Sequence, residues 1–304
     1  MADITNASDV AVSAGGLGKT IAAAIIQFNK AAVIPQCITM APAVQGSNTV
    51  QFPVYSKVAT SAVTEESTGT EGTEVDATAI TTAATNVEVL RNHINAKVTD
   101  LAVYGNQDAL LVNAGQVLGN AVAAKMDKDI MARFDAFATS KGTSTEGMKF
   151  LDLMDALASL EANDAPRPYH AVLHPQQVYG SFGLSNEFGS SAVNQSNAAF
   201  NGLAGSGGVA DQFIGAGFVT SIAGINIYTS PNVPDGGDAT EKKGAVFAKT
   251  ALGAGFIDFG GGNFIELKSE RNELGAQTNI VCNAYYGHPE LVDLHGVEIH
   301  TEIS

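Results

Sequence analysis

Residues 49–60 are β-prone, with Val50, Phe52, Val54 and Tyr55 close together, and further on Ile94, Ala96 and Val98 alternate with Asn95, Lys97 and Thr99. Between these limbs, residues 59–86 hold five acids and nine threonines and no basic residue. A stretch so poor in large apolar side chains cannot bury itself. The pattern therefore predicts a long hairpin with its tip at residues 65–76, a return limb at residues 94–98 and a partner on a neighbouring subunit. No proline falls between Val54 and Ala165, so nothing in the chain forces the ladder or the following helix to stop.

After Asp100 the period becomes helical. Asn106 or Asp108 can cap a helix running to about Phe137, roughly 48 Å long if unbroken at about 1.5 Å per residue. Leu110, Ala114, Val117, Ala121 and Ala124 share one face, whereas Met126, Ile130, Phe134 and Phe137 fall nearly opposite, so the stripe is expected to change sides near Lys125. Gly115 and Gly119 predict close packing against this helix. A second helix is expected at residues 147–163, ended by Pro166 and Pro168, followed by a strand at 169–174 and a short helix opened by Pro175. Residues 185–217 are rich in Gly, Ser and Asn and are expected to be ordered by neighbours. Strands are expected at 218–222, 225–228 and 244–248, the first two joined by Ala223-Gly224, and three more at 264–270, 277–286 and 297–302. The last three are expected to return beneath the long helix. Residues 1–47, small-residue-rich with a helix near 19–29, read as an extended arm. The fold class is α+β.

Composition narrows the function. At 304 residues, 45% hydrophobic, the chain can bury a large core. It contains no run of about 18 apolar residues, since Gln27, Asn29 and Lys30 interrupt the best stretch, so no membrane partner is expected. The polar start lacks the pattern of an export signal, which suggests manufacture in the cytosol. Cys37 and Cys282 give neither a disulfide framework nor a metal spacing and are expected to be buried free thiols. With 31 acidic against 16 basic residues, the net charge of −15 repels nucleic acid, so DNA could be enclosed but not gripped.

Chemical motifs are weak. SAGGLGKT at residues 13–20 lacks the first glycine of a phosphate loop, and no β-α-β series with a metal-binding Asp follows it. His170 and His174 lie four apart, but on a strand and without the glutamate of a zinc helix. His288, His295 and His300 read as surface or packing residues. The segment Asp235-Gly-Gly-Asp238 reads as a turn. No nucleophile elbow occurs. The expectation is a protein that is not an enzyme and has no cofactor, no metal site and no catalytic residue.

The segments NAVAAKMDKDIMARF at 120–134, PRPYHAVLHPQQV at 166–178, GINIYTSPNVP at 224–234 and TNIVCNAYYGHPELVDLHGVEIHTE at 278–302 complete a characteristic order: arm, hairpin, long helix, mixed centre, terminal strands. That order resembles the major capsid proteins of tailed bacteriophages, the Hong Kong 97 fold. The resemblance implies an N-terminal arm at 1–49, an extended hairpin loop at 50–98, a peripheral domain with the spine helix at 99–147, an axial domain at 148–263 and return strands of the peripheral domain at 264–304. It further implies self-assembly as pentamers and hexamers into an icosahedral virion shell around double-stranded DNA, built in the host cytoplasm, with portal and decoration proteins as partners. An encapsulin-like compartment enclosing cargo enzymes is the alternative. Only about 50 residues precede the loop, which implies a separate scaffolding protein. No lysine lies between Lys57 and Lys97, so the loop lysine that some relatives cross-link to a neighbour's asparagine is missing from the tip. Glu65, Glu66, Glu71, Glu74 and Asp76 crowd the tip without compensating charge, and Lys268 and Arg271 of a neighbouring subunit are the expected contacts.

Overall fold

The long helix and residues of two β-sheets share one buried apolar core. The computed structural model describes residues 32–43, 47–58, 60–63, 78–105, 110–184, 218–258 and 265–304. In chain order come β1 (Thr39–Pro42), β2 (Thr49–Tyr55), β3 (Thr82–Glu88), β4 (Leu90–Thr99), α1 (Asp100–Gly105), α2 (Leu110–Met131), β5 (Ser140–Lys141), α3 (Phe150–Ala162), β6 (Tyr169–Leu173) and α4 (Pro175–Tyr179). The second half adds β7 (Phe218–Ile222), β8 (Ile225–Thr229), β9 (Glu241–Ala248), β10 (Gly253–Phe256), β11 (Ile265–Asn272), β12 (Gln277–Gly287) and β13 (Gly296–Glu302). The expected helix at 19–29 and the segment 185–217 lie outside the described residues.

A five-stranded sheet is built around β12, which pairs antiparallel with β4, β11 and β10, while β1 pairs in parallel with β10. A six-stranded sheet runs in the order β5-β13-β9-β6-β8-β7, and β2 pairs with β3 alone. All five residues of β6 are buried, as fits a strand with parallel β8 on one side and antiparallel β9 on the other. Between β7 and β8 the turn residues Ala223 and Gly224 have φ of 52° and 84°, both in the left-handed region that a tight hairpin turn with the twist of its strands requires.

Three expectations change. The return limb of the hairpin is β3, not residues 94–98, which lie in β4 and pair with β12 from Leu90↔Tyr286 to Thr99↔Gln277. Alternation in 94–98 marks a strand with one face on the core, and that core is the helix, not the hairpin. The long helix is 22 residues, from Leu110 to Met131, followed by a 3-10 turn at Ala132–Ala136. Its buried stripe does not jump sides near Lys125 but winds gradually: Leu118, Val122, Met126 and Ile130, four apart, lead to Phe134 in the turn, and because steps of four drift by about 40° each around an α-helix, the stripe turns by about 120° between Leu118 and Ile130. Val117, assigned to the inner face from spacing alone, is exposed. Finally, of the three terminal strands only β11 and β12 return beneath α2; β13 pairs with β9 in the six-stranded sheet. The two sheets have the same local pattern, so only pairing could separate them.

The main core joins arm, helix and both sheets: Ile34, Cys37 and Ile38 from the arm, Leu118 to Phe134 from the helix region, Ile280 to Tyr286 from β12, and Val172, Ala245 and Phe247 from the six-stranded sheet. A second core lies on the other face of that sheet, where α3 contributes Leu153, Ala156 and Leu160. Asp127 ties the first core together. Its fully buried carboxylate accepts the backbone N–H groups of Val33 and Ile34 at 3.0 and 2.9 Å through Oδ1, and the Ser230 hydroxyl and Asn232 amide, both at 3.1 Å, through Oδ2. All of that charge is met by donors, which is what allows a carboxylate inside an apolar core.

Candidate assembly surfaces

The hairpin is docked at its root and bare toward its far end. Val50 and Phe52 of β2, Val87 of β3 and Val89 form a small buried cluster with Ala41, Ala43, Ile257, Tyr285 and Leu291 beside it. Two glycines make room for that root. A β-carbon at Gly255 would lie 2.8 Å from Val50 Cγ2, and one at Gly287 would lie 2.5 Å from Val87 Cγ1 and collide with the Glu88 carbonyl. Toward the tip burial ends: Tyr55 is 69% exposed and Ile80 is exposed as well. Lys57 pairs with Asp164, just beyond α3, and both side chains are exposed. Glu65, Glu66, Glu71, Glu74 and Asp76 lie outside the described residues.

Lys268 and Arg271 are both on β11, but three positions apart on a strand means opposite faces. Arg271 shares the helix face with Leu267, and its guanidinium forks onto the Asp100 carboxylate at the start of α1, with Nη2 to Oδ2 at 2.5 Å, while Nε reaches Glu273 at 3.4 Å. The paired guanidinium holds the Asp100 carboxyl below the usual carboxylate range, and Asp100 in turn pushes Arg271 up. Arg271 is thus engaged within its own subunit. Lys268, by contrast, is 67% exposed and contacts Glu266 at 2.9 Å. It stands on the face turned away from α2, in the row Lys268–Val281–Asn95, between the rows Glu266–Asn283–His93 and Glu270–Asn279–Lys97. Arg91 donates to Asn283 Oδ1 at 3.0 and 2.8 Å on the same face. This polar face, with charges of both signs, is one side of a sheet whose outer strands, β4 and β11, each pair only with β12 among the described residues.

The sequence pattern did not mark four further apolar side chains as exposed. Leu101 and Tyr104 of α1, Val117 of α2 and Leu274 after β11 are all exposed, Tyr104 to 85%. A helix of six residues following a strand leaves no periodicity to read, so the signal was too short. Gly115 meets Leu267, whose Cδ2 would be 3.1 Å from an added β-carbon, whereas Gly119 has nothing within 4 Å; close packing holds at the first glycine only.

Two of the remaining sequence candidates, His174 and Asp235, have structural roles. His174 caps α4, its Nδ1 accepting the Gln176 N–H at 3.3 Å while Gln177 accepts the His174 N–H at 2.9 Å. Asp235 pairs with Lys242. Both thiols are buried and free, and burial with the nearby Asp127 carboxylate pushes Cys37 up to about 12. Residues 13–20 lie outside the described residues. Among the described residues no helix is long and apolar enough to cross a membrane, and no group of three or more His, Cys, Asp or Glu could hold a metal ion.

The sequence profile of the phage capsid protein family matches residues 94–287, more than half of the chain. The chain belongs to that family. It is a structural protein of a phage shell, and its fold is the Hong Kong 97 capsid fold. No curated protein sequence matches it significantly. Among solved structures, the capsid of cyanophage P-SCSP1u is 18% identical with a TM-score of 0.63, the alignment covering 93% of this chain and 92% of that one. The capsid of Ralstonia phage GP4 is 11% identical with a TM-score of 0.64, covering 96% and 98%. The holo-SrpI encapsulin complex from Synechococcus elongatus PCC 7942 is 11% identical with a TM-score of 0.62, covering 93% of each chain. At such identities the likeness is one of fold.

Proposed function

We propose that this capsid protein is the major shell subunit of a tailed phage, assembling as pentamers and hexamers into an icosahedral shell around double-stranded DNA. The observation that carries the reading is a hairpin whose described residues are buried at the root and exposed beyond it, on a subunit whose two main cores are formed by the other elements. Such an element gains its missing apolar and ionic partners from another copy. The net charge of −15 supports enclosure of DNA without grip. A separate scaffolding protein, a portal and decoration proteins complete the proposed set of partners, with assembly in the host cytoplasm before packaging. Sheet membership supports two adjustments to the proposed domains: β4 goes with the peripheral strands β11 and β12, and β13 with the axial sheet.

Within the shell, the tip acids Glu65, Glu66, Glu71, Glu74 and Asp76 contact Lys268 of a neighbour. Arg271 is the weaker partner, since Asp100 already occupies it. The likeness to the SrpI encapsulin complex favours a second reading, a compartment enclosing cargo enzymes. Electron microscopy of the purified chain, alone and co-expressed with its scaffold, tests both. Closed shells are expected; shells filled with DNA during infection support the phage reading, shells filled with an enzyme support the compartment, and a chain that forms no closed particle under any of these conditions refutes both.

A further inference from the structure

His170 is the buried titratable group that neither the core nor the assembly surfaces explain. It lies on β6, 6% exposed, and neither Nδ1 nor Nε2 has a hydrogen-bond partner. A buried imidazole ordinarily donates through one nitrogen and accepts through the other, so a ring with both left empty is unusual. It pairs across the ladder with Asn226 of β8 and Phe247 of β9, and it packs on Tyr228 with ring centroids 5.9 Å apart. Alternation puts it on the same face of β6 as Val172, the face that closes the core shared with the arm and α2.

Its surroundings offer nothing to a positive charge. Lys249, just past β9, is the charged group that acts on the ring, and it is a cation. The arm lies against the same place, the Thr39 hydroxyl donating to the Lys249 carbonyl at 2.9 Å. Tyr228 from β8 and, acting on Tyr228, Cys37 from the arm are the other titratable groups there, both kept neutral by burial. No carboxylate acts on the imidazole among the described residues. Burial first and Lys249 second depress its pKa below the ordinary histidine value.

We propose that His170 is an acid-responsive switch at the seam between the six-stranded sheet and the arm and spine helix: neutral at neutral pH, it loosens that seam when it takes a proton. The sign follows from linkage. The unfolded chain protonates this histidine near pH 6.5, whereas the folded chain resists, so its unfolded state binds more protons as pH falls. The stability is complete above about pH 6.5 and is lost progressively below it, until the depressed folded value is reached. The switch belongs to the single subunit, so it stands or falls independently of shell geometry and contents.

Thermal unfolding of the purified subunit at pH 7.5, 6.5 and 5.5 tests it, comparing wild type with His170→Phe, which keeps a ring and cannot titrate. His288 and His295 are also depressed by burial, so the difference between proteins, not the wild-type slope, isolates His170. From pH 7.5 to 5.5 the wild-type Tm should fall by at least about 2 °C more than that of His170→Phe. Lys249→Gln, which leaves the carbonyl contact to Thr39 in place, should give an intermediate slope. If His170→Phe does not fold, His170→Gln serves as the non-titrating reference with the same expectation. Parallel pH profiles for wild type and the non-titrating variant would overturn the proposal, as would a steeper profile in Lys249→Gln.

Discussion

At the scale of single residues, Asp127 has the largest consequence. One carboxylate fixes the place where the arm enters the core, the last turns of α2 and the loop after β8, using four donors from two separate parts of the chain. In the sequence it stands in KMDKD, where a charged residue on a helix ordinarily faces solvent. Asp127→Ala removes the acceptor and leaves donors stranded in an apolar core, each costing about 1–3 kcal/mol. The expected loss is about 3 kcal/mol or more, read from urea denaturation. A loss below about 1 kcal/mol would mean that water or a rearranged arm replaces the carboxylate. Gly287→Ala probes a tighter constraint, because its methyl group has no room beside Val87 and the Glu88 carbonyl. Overpacking of this kind typically costs about 1–3 kcal/mol. A Tm unchanged by Gly287→Ala would show that the hairpin root can shift outward freely.

Among the elements, the hairpin is buried at its root and exposed at the described residues beyond it. Its root cluster of Val50, Phe52, Val87 and Val89 is small and sits apart from both main cores. Deleting residues 64–77 therefore leaves every described layer intact, and the shortened chain should be soluble with near-wild-type far-ultraviolet circular dichroism, yet form no shells. Normal shells from this deletion would remove the hairpin tip from the account of assembly. The spine helix shows how an element-level pattern can mislead. Small residues at Ala114, Ala121 and Ala124 suggested an inner face, but they are only partly buried, and the larger Leu118, Val122, Met126 and Ile130 fill the main core. Volume buried, not mere apolarity, decided which face turned inward.

For the whole molecule the decisive terms are weak and repeated. An exposed ion pair contributes about 0.2–1 kcal/mol, but a closed shell makes each contact once per subunit. Lys268→Glu should weaken assembly at low salt, and adding Glu71→Lys and Glu74→Lys in the same chain should partly restore it, as measured by the yield of sedimenting shells. The defect should shrink at 1 M salt, where the screening length is about 3 Å. Arg271→Glu is a poorer probe, since it also breaks the pair with Asp100 and lowers subunit stability. Were Lys268→Glu to assemble as well as wild type at low salt, the acidic tip would require another partner.

The sequence alone determined the α+β class, the arm-hairpin-helix-strand order and nearly every element of the second half, because periods of two and 3.6, prolines and Gly-bearing turns are local signals. Pro175 opening α4 and Ala223-Gly224 turning β7 into β8 are examples. Tertiary structure alone decided which strands share a sheet. It sent residues 94–98 to β12 and β13 to β9, engaged Arg271 with Asp100 while leaving Lys268 on the open face, and buried Asp127 and His170. The physical reason is common to all four: hydrogen-bonded pairing and burial join residues up to some two hundred positions apart, and no local pattern of side chains encodes which distant backbone or donor will meet them.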